Sequence, residues 1–170
     1  KAPATWIWPW SGGRKPLLPS FRERYGHSGG MISAVDVLKG IATYAGMKLI
    51  TVPGATGFLD TDYQGKARHA LEALEEVDFV YVHVEAPDEA AHMGSVPEKI
   101  RAIEAFDGIV GTVLAGFDGV VAVLPDHPTP IRLKTHTRQP VPFAVLGRGK
   151  GTCTCFSERE AARSATPVLR

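Results

Sequence analysis

The 170-residue sequence has few cysteines, almost no net charge and no long apolar segment. Its two cysteines, Cys153 and Cys155, lie one residue apart and do not easily bridge to each other, so we expect no disulfide framework and a cytoplasmic location. The 19 basic and 18 acidic residues leave a net charge of +1, which removes the electrostatic case for binding nucleic acid or an acidic membrane surface. No apolar run approaches the ~20 residues of a membrane-spanning helix.

Helical and strand-like patterns alternate along the chain. Apolar residues recur at helical spacing in three segments, and short apolar runs without polar alternation lie between or after them. The predicted helices are Ser33–Ala45, Asp62–Glu76 and Val96–Ala115, and the predicted strands are Thr5–Trp10, Met47–Val52, Phe79–Val84, Val120–Leu124 and Val141–Leu146. This order predicts an α/β fold with a mostly parallel sheet and helices on both faces. We expect residues 1–150 to form one domain and residues 151–170 a partly ordered tail.

The longest predicted helix has a clear apolar stripe, which we expect to face the core. Its members are Ile100, Ile103, Phe106, Val110, Val113 and Leu114. Ser95 and Glu98 precede and begin this helix with the spacing of a capping box. Thr61 or Asp60 is the expected cap of the preceding helix.

Aspartates and histidines cluster where the predicted strands end, and this is where ligands bind in α/β sheets. Asp88 and His92 follow the third predicted strand and are four residues apart, so a helical turn places them on one face. Asp126 and His127 follow the fourth strand, and His136 precedes the fifth. Mixed imidazole and carboxylate ligands suit manganese, zinc or iron better than calcium. The five residues together predict a metal site, although each pair alone is also common on ordinary protein surfaces.

Other polar residues favour simpler interpretations. His27 follows a basic loop, His69 lies on the flank of a helix, and His83 is expected to pack on a strand. Glu85 follows that strand and is either a residue that orients a ligand or an ordinary solvated carboxylate. The segment Gly12–Lys15 contains two glycines and two basic residues and would suit a phosphate, but it matches no strict phosphate-loop pattern.

The order of these motifs resembles the archaeal-type cofactor-independent phosphoglycerate mutases of the alkaline phosphatase superfamily. The segments that carry the resemblance are His83–His92, Leu124–Pro130, Thr135–Thr137 and Pro140–Phe143, with further matches from Trp6–Trp10 to Phe156–Arg159. The resemblance therefore covers nearly the whole chain. It implies an alkaline-phosphatase-like sheet that is incomplete at its N-terminus, and a small-molecule phosphoglycerate substrate. Neither a nucleic acid nor a membrane is an expected partner.

The resemblance also implies two divalent metal ions, with manganese the first expectation and magnesium, zinc or cobalt the alternatives. Asp88, His92 and His136 match the ligands of one ion, and Asp126 and His127 match two ligands of its neighbour. In the family, an N-terminal aspartate and a nucleophilic serine also bind the second ion, and both are expected upstream of Lys1. No catalytic nucleophile is thus expected in this chain.

The implied function is that of the C-terminal part of a mutase, an isomerase of glycolysis and gluconeogenesis that interconverts 3-phosphoglycerate and 2-phosphoglycerate through a phosphoserine. Two alternatives stay open. One is another phosphatase or phosphotransferase of the same superfamily, including a homoserine-kinase-like enzyme, and the other is a non-catalytic metal-binding domain. We also expect the isolated chain to self-associate, or to carry a large apolar patch, where upstream strands would otherwise cover it.

Overall fold

The computed structural model describes residues 12–147, 149, 151 and 153–163. Its helices are α1 (Phe21–Tyr25), α2 (Asp36–Tyr44), α3 (Tyr63–Ala73), α4 (Ala86–Met93), α5 (Val96–Gly116) and α6 (Glu158–Ala161). Its strands are β1 (Gly29–Ile32), β2 (Lys48–Leu49), β3 (Phe79–Val82), β4 (Val121–Val123) and β5 (Ala144–Leu146). Among the described residues, no helix combines the length and the apolarity needed to cross a membrane.

The strands form a three-stranded parallel sheet and a separate antiparallel pair. β1 lies in the centre, with β2 on one side and β3 on the other, and Gly29 to Ile32 pair in register with Phe79 to Val82. β4 pairs with β5 in antiparallel register, with Val121 opposite Leu146. The predicted α/β architecture with a parallel sheet is confirmed. All four strands that were predicted among the described residues are shorter than expected, and the predicted strand Thr5–Trp10 lies outside those residues.

The central strand β1 has no counterpart in the sequence prediction. It begins with Gly29 and Gly30, which weaken a strand pattern because they contribute no side chain. The structure explains why Gly30 is needed, since a Cβ atom there would lie 2.7 Å from Cδ1 of Ile50. Glycine at this position therefore makes room for the side chain of Ile50, where a sequence pattern indicates a turn.

Helices contact both faces of the parallel sheet. Ile32, Val52 and Ala70 form a buried cluster, and Ala70 brings α3 onto this face. On the other face, Phe21 of α1 stacks against Phe79 of β3, with ring centroids 5.4 Å apart. The expectation that helices lie on both faces thus holds for this sheet.

The helix ends follow their local sequences. Asp62 caps α3 by accepting a hydrogen bond from the backbone N–H of Gly65 at 2.7 Å, so the cap lies one or two residues later than predicted. Ser95 accepts a hydrogen bond from the backbone N–H of Glu98, whose carboxylate pairs with Arg101. The start of α5 was therefore predicted correctly, and of the predicted capping box the serine half is present.

The long helix α5 does not bury the apolar stripe predicted for it. Ile100 and Ile103 are 51% and 49% exposed, whereas Ala102 and Ile109 are buried. The reason is that α5 packs against α3 and α4, and α4 presents the buried residues Ala90 and Ala91. Small residues let the helix axes approach closely, so the packed face is selected by fit rather than by hydrophobicity alone.

Candidate metal centre

Helix α4 holds the first two predicted ligands on one face. It starts immediately after Glu85, contains a proline in its first turn, and ends at Gly94, which adopts a left-handed conformation with a φ of 76°. Asp88 and His92 are one turn apart within it, and Oδ2 of Asp88 lies 3.1 Å from Nε2 of His92. The predicted i, i+4 pairing is therefore present.

His136 approaches the same pair from the loop before β5. Its Nε2 atom lies 3.1 Å from Nε2 of His92 and 3.6 Å from Oδ2 of Asp88. Ligands at ~2.1 Å from a tetrahedral metal ion lie about 3.4 Å from one another. The three donor atoms of Asp88, His92 and His136 are thus spaced like one face of such a tetrahedron.

The tautomer of His92 is set by a backbone carbonyl. Its Nδ1 atom lies 2.9 Å from the carbonyl oxygen of Lys134, and a carbonyl can only accept, so Nδ1 carries the proton. In the neutral ring, the Nε2 lone pair then faces the Asp88 carboxylate, which is also an acceptor. Two acceptors 3.1 Å apart require a cation or an added proton between them. The donor set therefore fits a divalent metal ion.

Lys134 itself is held in an uncommon conformation. Its φ of 54° places a non-glycine residue in the left-handed region. Its side chain packs so closely over Gly94 that a Cβ atom on Gly94 would lie 2.3 Å from Cε of Lys134. The loop before His136 is therefore joined to the end of α4 by contacts of both the backbone and the side chain of Lys134.

His127 and Asp126 lie beside this group. The His127 and His136 rings have centroids 3.8 Å apart, and one donor atom from each of Asp88, His127 and His136 lies within 4.8 Å of the others. Asp126 is exposed, with Oδ2 3.3 Å from Nε2 of His127. All five predicted residues thus converge at one edge, and two sets of three donors share Asp88 and His136.

Thr129 is a part of the site that the sequence reading missed. Its hydroxyl donates to Oδ1 of Asp88 and lies 3.3 Å from Nδ1 of His127, and the residue is only 5% exposed. Lys99 of α5 donates to the Thr129 carbonyl oxygen at 3.0 Å. A threonine between two prolines has no distinctive pattern, so only its place beside Asp126 and His127 pointed to it.

The electrostatics of Asp88 favour its charged form. Burial raises the pKa of Asp88, but the hydrogen bond from Thr129 and the nearby histidines outweigh this effect and hold the pKa below its ordinary value. Asp88 is therefore anionic at neutral pH, as a metal ligand must be.

We expect Thr129→Val to weaken binding of Mn²⁺ by about 10- to 100-fold, because the hydroxyl that orients Asp88 is lost while the side chain keeps its size. Thr129→Ser keeps the hydroxyl and is the matched control, with an affinity close to that of the unaltered chain. Titration calorimetry with Mn²⁺ measures both. Equal affinities for the valine and serine variants would contradict a role for the hydroxyl.

The remaining candidate residues lie apart from this group of donors. His83 has Nδ1 3.5 Å from Oγ of Ser33 and 3.9 Å from Oε1 of Glu85. Both partners face the same ring nitrogen, so the three residues cannot relay a proton as a catalytic triad does. Burial lowers the pKa of His83, in keeping with the packing role expected for it. Glu85 is half-buried, so it is not the ordinary solvated carboxylate that was one of its two expected roles.

The other histidines have local partners. His69 has Nδ1 2.8 Å from the carbonyl oxygen of Gly65 on its own helix. His27 faces Asp78 at 3.8 Å on the surface. Residues 12–15 are exposed and have no regular secondary structure, so the geometry adds nothing to a phosphate-binding interpretation of that segment.

Comparison with known proteins gives consistent results. The chain is 56% identical over 153 residues to the 2,3-bisphosphoglycerate-independent phosphoglycerate mutase of Methanothrix thermoacetophila, covering 86% of this chain and 39% of that protein. It is 49% identical over 176 residues to a probable enzyme of the same name from Geobacter sulfurreducens, covering 99% of this chain and 44% of the relative. The chain therefore spans about two fifths of the length of these relatives.

Solved structures show the same fold. A protein from Pyrococcus horikoshii matches with a TM-score of 0.83 at 33% identity, over 88% of this chain and 47% of that one. The cofactor-independent phosphoglycerate mutase from Thermoplasma acidophilum matches with a TM-score of 0.68 at 25% identity, over 89% of this chain and 36% of that one. The expected fold class is confirmed by both. A family model described as the metalloenzyme superfamily matches residues 3–165, and the chain belongs to this superfamily.

Proposed function

We propose that this chain is the metal-binding C-terminal part of a cofactor-independent phosphoglycerate mutase. The observation that carries the proposal is the convergence of Asp88, His92 and His136, with donor atoms 3.1 to 3.6 Å apart. The similarity to named mutases at 56% and 49% identity supports the substrate. The reaction is the interconversion of 3-phosphoglycerate and 2-phosphoglycerate in glycolysis and gluconeogenesis.

In this proposal two divalent ions bind, with manganese preferred and magnesium, zinc and cobalt as alternatives. Asp88, His92 and His136 hold one ion, and Asp126 and His127 provide half of the ligands of the other. When bound, the ions polarise phosphoryl oxygens and favour the ionised form of a nucleophilic hydroxyl.

The chain's own residues prepare this site in three ways. The Lys134 carbonyl fixes the His92 tautomer, the Thr129 hydroxyl orients Asp88, and Lys99 holds the Thr129 backbone. These contacts set the ligand positions before any ion binds, which reduces the cost of ordering them. The phosphoryl acceptor in the proposal is a serine from the upstream part of the longer protein.

A chimera tests the substrate. In the Methanothrix mutase, the matching 153-residue segment is replaced by the corresponding residues of this chain. We expect conversion of 3-phosphoglycerate, measured by coupling to enolase without added 2,3-bisphosphoglycerate. The parent mutase is the positive control. A folded chimera that is inactive on phosphoglycerates but hydrolyses or transfers another phosphate ester would favour the phosphotransferase alternative.

We further propose that the isolated chain self-associates through α5. Val96, Ile100 and Ile103 lie at helical spacing on this helix and are 52%, 51% and 49% exposed. A contiguous apolar stripe of this kind favours contact with a second copy. Sedimentation velocity is expected to show dimers or larger species at micromolar concentrations, and Ile100→Glu with Ile103→Glu to yield monomers. A monomer at every concentration for the unaltered chain would contradict the proposal.

A cytoplasmic location is also part of the proposal. Cys153 and Cys155 are both free and exposed, which fits a reducing compartment.

A further inference from the structure

Lys66 of α3 is a charged residue in the interior of the molecule. It is 0% exposed, and its ammonium group donates to the carbonyl oxygen of His83 at 3.1 Å. His83 directly follows β3, at the edge of the sheet where the metal ligands gather. A fully buried lysine is rare unless its charge is compensated, so its presence at this point needs a reason.

Glu85 is the acidic residue whose charge acts on Lys66, although the two side chains form no ion pair. Its attraction for the Lys66 ammonium counteracts the lowering of the lysine pKa that burial causes. Oε2 of Glu85 is buried and has no hydrogen-bond partner among the described residues. A Cβ atom on Gly57 would lie only 2.5 Å from this oxygen. The Glu85 carboxylate therefore lies close against the backbone of Gly57.

Glu85 is also the residue from which α4 starts. Its carbonyl oxygen accepts hydrogen bonds from the backbone N–H groups of Asp88 and Glu89, at 2.8 and 3.1 Å. These bonds form the first turn of the helix that carries Asp88 and His92. Any movement of Glu85 or His83 must consequently shift the start of this helix and the first metal ligand.

We propose that Lys66 is a positioning residue of the metal centre. Its ammonium fixes the end of β3 to α3 through the His83 carbonyl, and Glu85, two residues further on, starts α4, so that the helix begins at a fixed place and orientation. We call Lys66, His83, Glu85 and Gly57 the β3–α4 anchor. This inference rests on the proposed metal site, because its functional consequence is the placement of Asp88 and His92.

Lys66→Met tests the anchor, because methionine fills a similar volume without the ammonium. We expect Mn²⁺ affinity to fall by about 10- to 100-fold, the usual effect of losing a group that orients ligands. Amide hydrogen exchange at Asp88 and Glu89, measured without metal, is expected to accelerate by about tenfold or more. The exchange readout does not depend on any ion being bound.

Leu71→Ala is the matched control on the same helix. Leu71 packs against Gly116 of α5, where a Cβ atom would lie 2.8 Å from Cδ1 of Leu71, so its loss destabilises α3 away from the anchor. We expect this variant to have a lower melting temperature but an unchanged Mn²⁺ affinity. Its amide hydrogen exchange at Asp88 is expected to change no more than that of the rest of the chain. Gly57→Ala is a second test, because the added methyl group would displace the Glu85 carboxylate without removing a charge. It is expected to weaken Mn²⁺ binding as well.

The outcomes separate this inference from the proposed function. If the unaltered chain binds no Mn²⁺, the proposed metal site is wrong. If amide hydrogen exchange at Asp88 and Glu89 is unchanged in Lys66→Met, the anchor is wrong, whether or not the chain binds metal. If the unaltered chain binds Mn²⁺ and Lys66→Met binds it equally well, the positioning role is wrong. Should Lys66→Met not fold, Gly57→Ala decides the question by the same two measurements.

Discussion

The 170-residue chain alone is expected to show no phosphoglycerate mutase activity, whereas the Methanothrix chimera is expected to be active. The structure gives the chemical reason for the first part. Every serine of the described residues has a structural role: Ser20, Ser95 and Ser157 cap helices, Ser28 bonds to Asp78, and Ser33 accepts from the backbone N–H of Val35. None of the hydrogen bonds of these hydroxyls reaches the five candidate metal ligands, so in the proposed mechanism the phosphoryl acceptor is the upstream serine.

In the active chimera, Asp126→Ala and His127→Ala are each expected to lower kcat by about two orders of magnitude or more, because they hold the ion beside the nucleophile in the proposed mechanism. Asp118→Ala removes another exposed carboxylate, on the loop before β4, and is the matched control with kcat unchanged. The enolase-coupled assay measures all three. Mutase turnover by the chain alone would show that the nucleophile had been wrongly placed upstream.

The grouping of the five candidate ligands could be predicted because it depends on few structural assumptions. A helix after β3 places Asp88 and His92 one turn apart, and the ends of strands bring loops to a common edge. The first assumption is correct, and the loops after β3 and β4 do meet, although β4 and β5 form a pair separate from the parallel sheet. The groups that orient the ligands could not be predicted in the same way. Lys134 acts through a backbone carbonyl, which any residue possesses, and Thr129 acts through a hydroxyl in a loop without a recognisable pattern.

The fold shows the same division between local and tertiary effects. The three predicted helices start within three residues of their expected starts. At α3 and α5 the reason is local, because the side chains of Asp62 and Ser95 satisfy backbone groups nearby in the sequence, whereas α2 starts without a side-chain cap. The central strand β1 was missed because its need for Gly30 arises from contact with Ile50, twenty positions away along the chain. Likewise, the face of α5 that is buried depends on the small residues of α4. The spacing of apolar residues within α5 alone could not predict this face.

We expect metal binding by the isolated chain to depend strongly on His92. His92 lies in the centre of the group of donors, 3.1 Å from both Asp88 Oδ2 and His136 Nε2, and its Nε2 lone pair is oriented by the Lys134 carbonyl. His69 provides a matched control, since it is also a half-buried helical histidine whose Nδ1 contacts a backbone carbonyl oxygen, that of Gly65.

We expect titration calorimetry to find one dominant Mn²⁺ site in the unaltered chain, lost in His92→Ala and retained in His69→Ala. Asp126 and His127 alone provide too few ligands for a second site of similar strength. A bound ion stabilises the folded state, by about 2.7 kcal/mol when Mn²⁺ is present at a hundred times its dissociation constant. The melting temperature of the unaltered chain is therefore expected to rise with added Mn²⁺, while that of His92→Ala stays constant. Equal binding and equal thermal stabilisation in both proteins would mean that His92 is not a ligand, and that His127 completes the site with Asp88 and His136 instead.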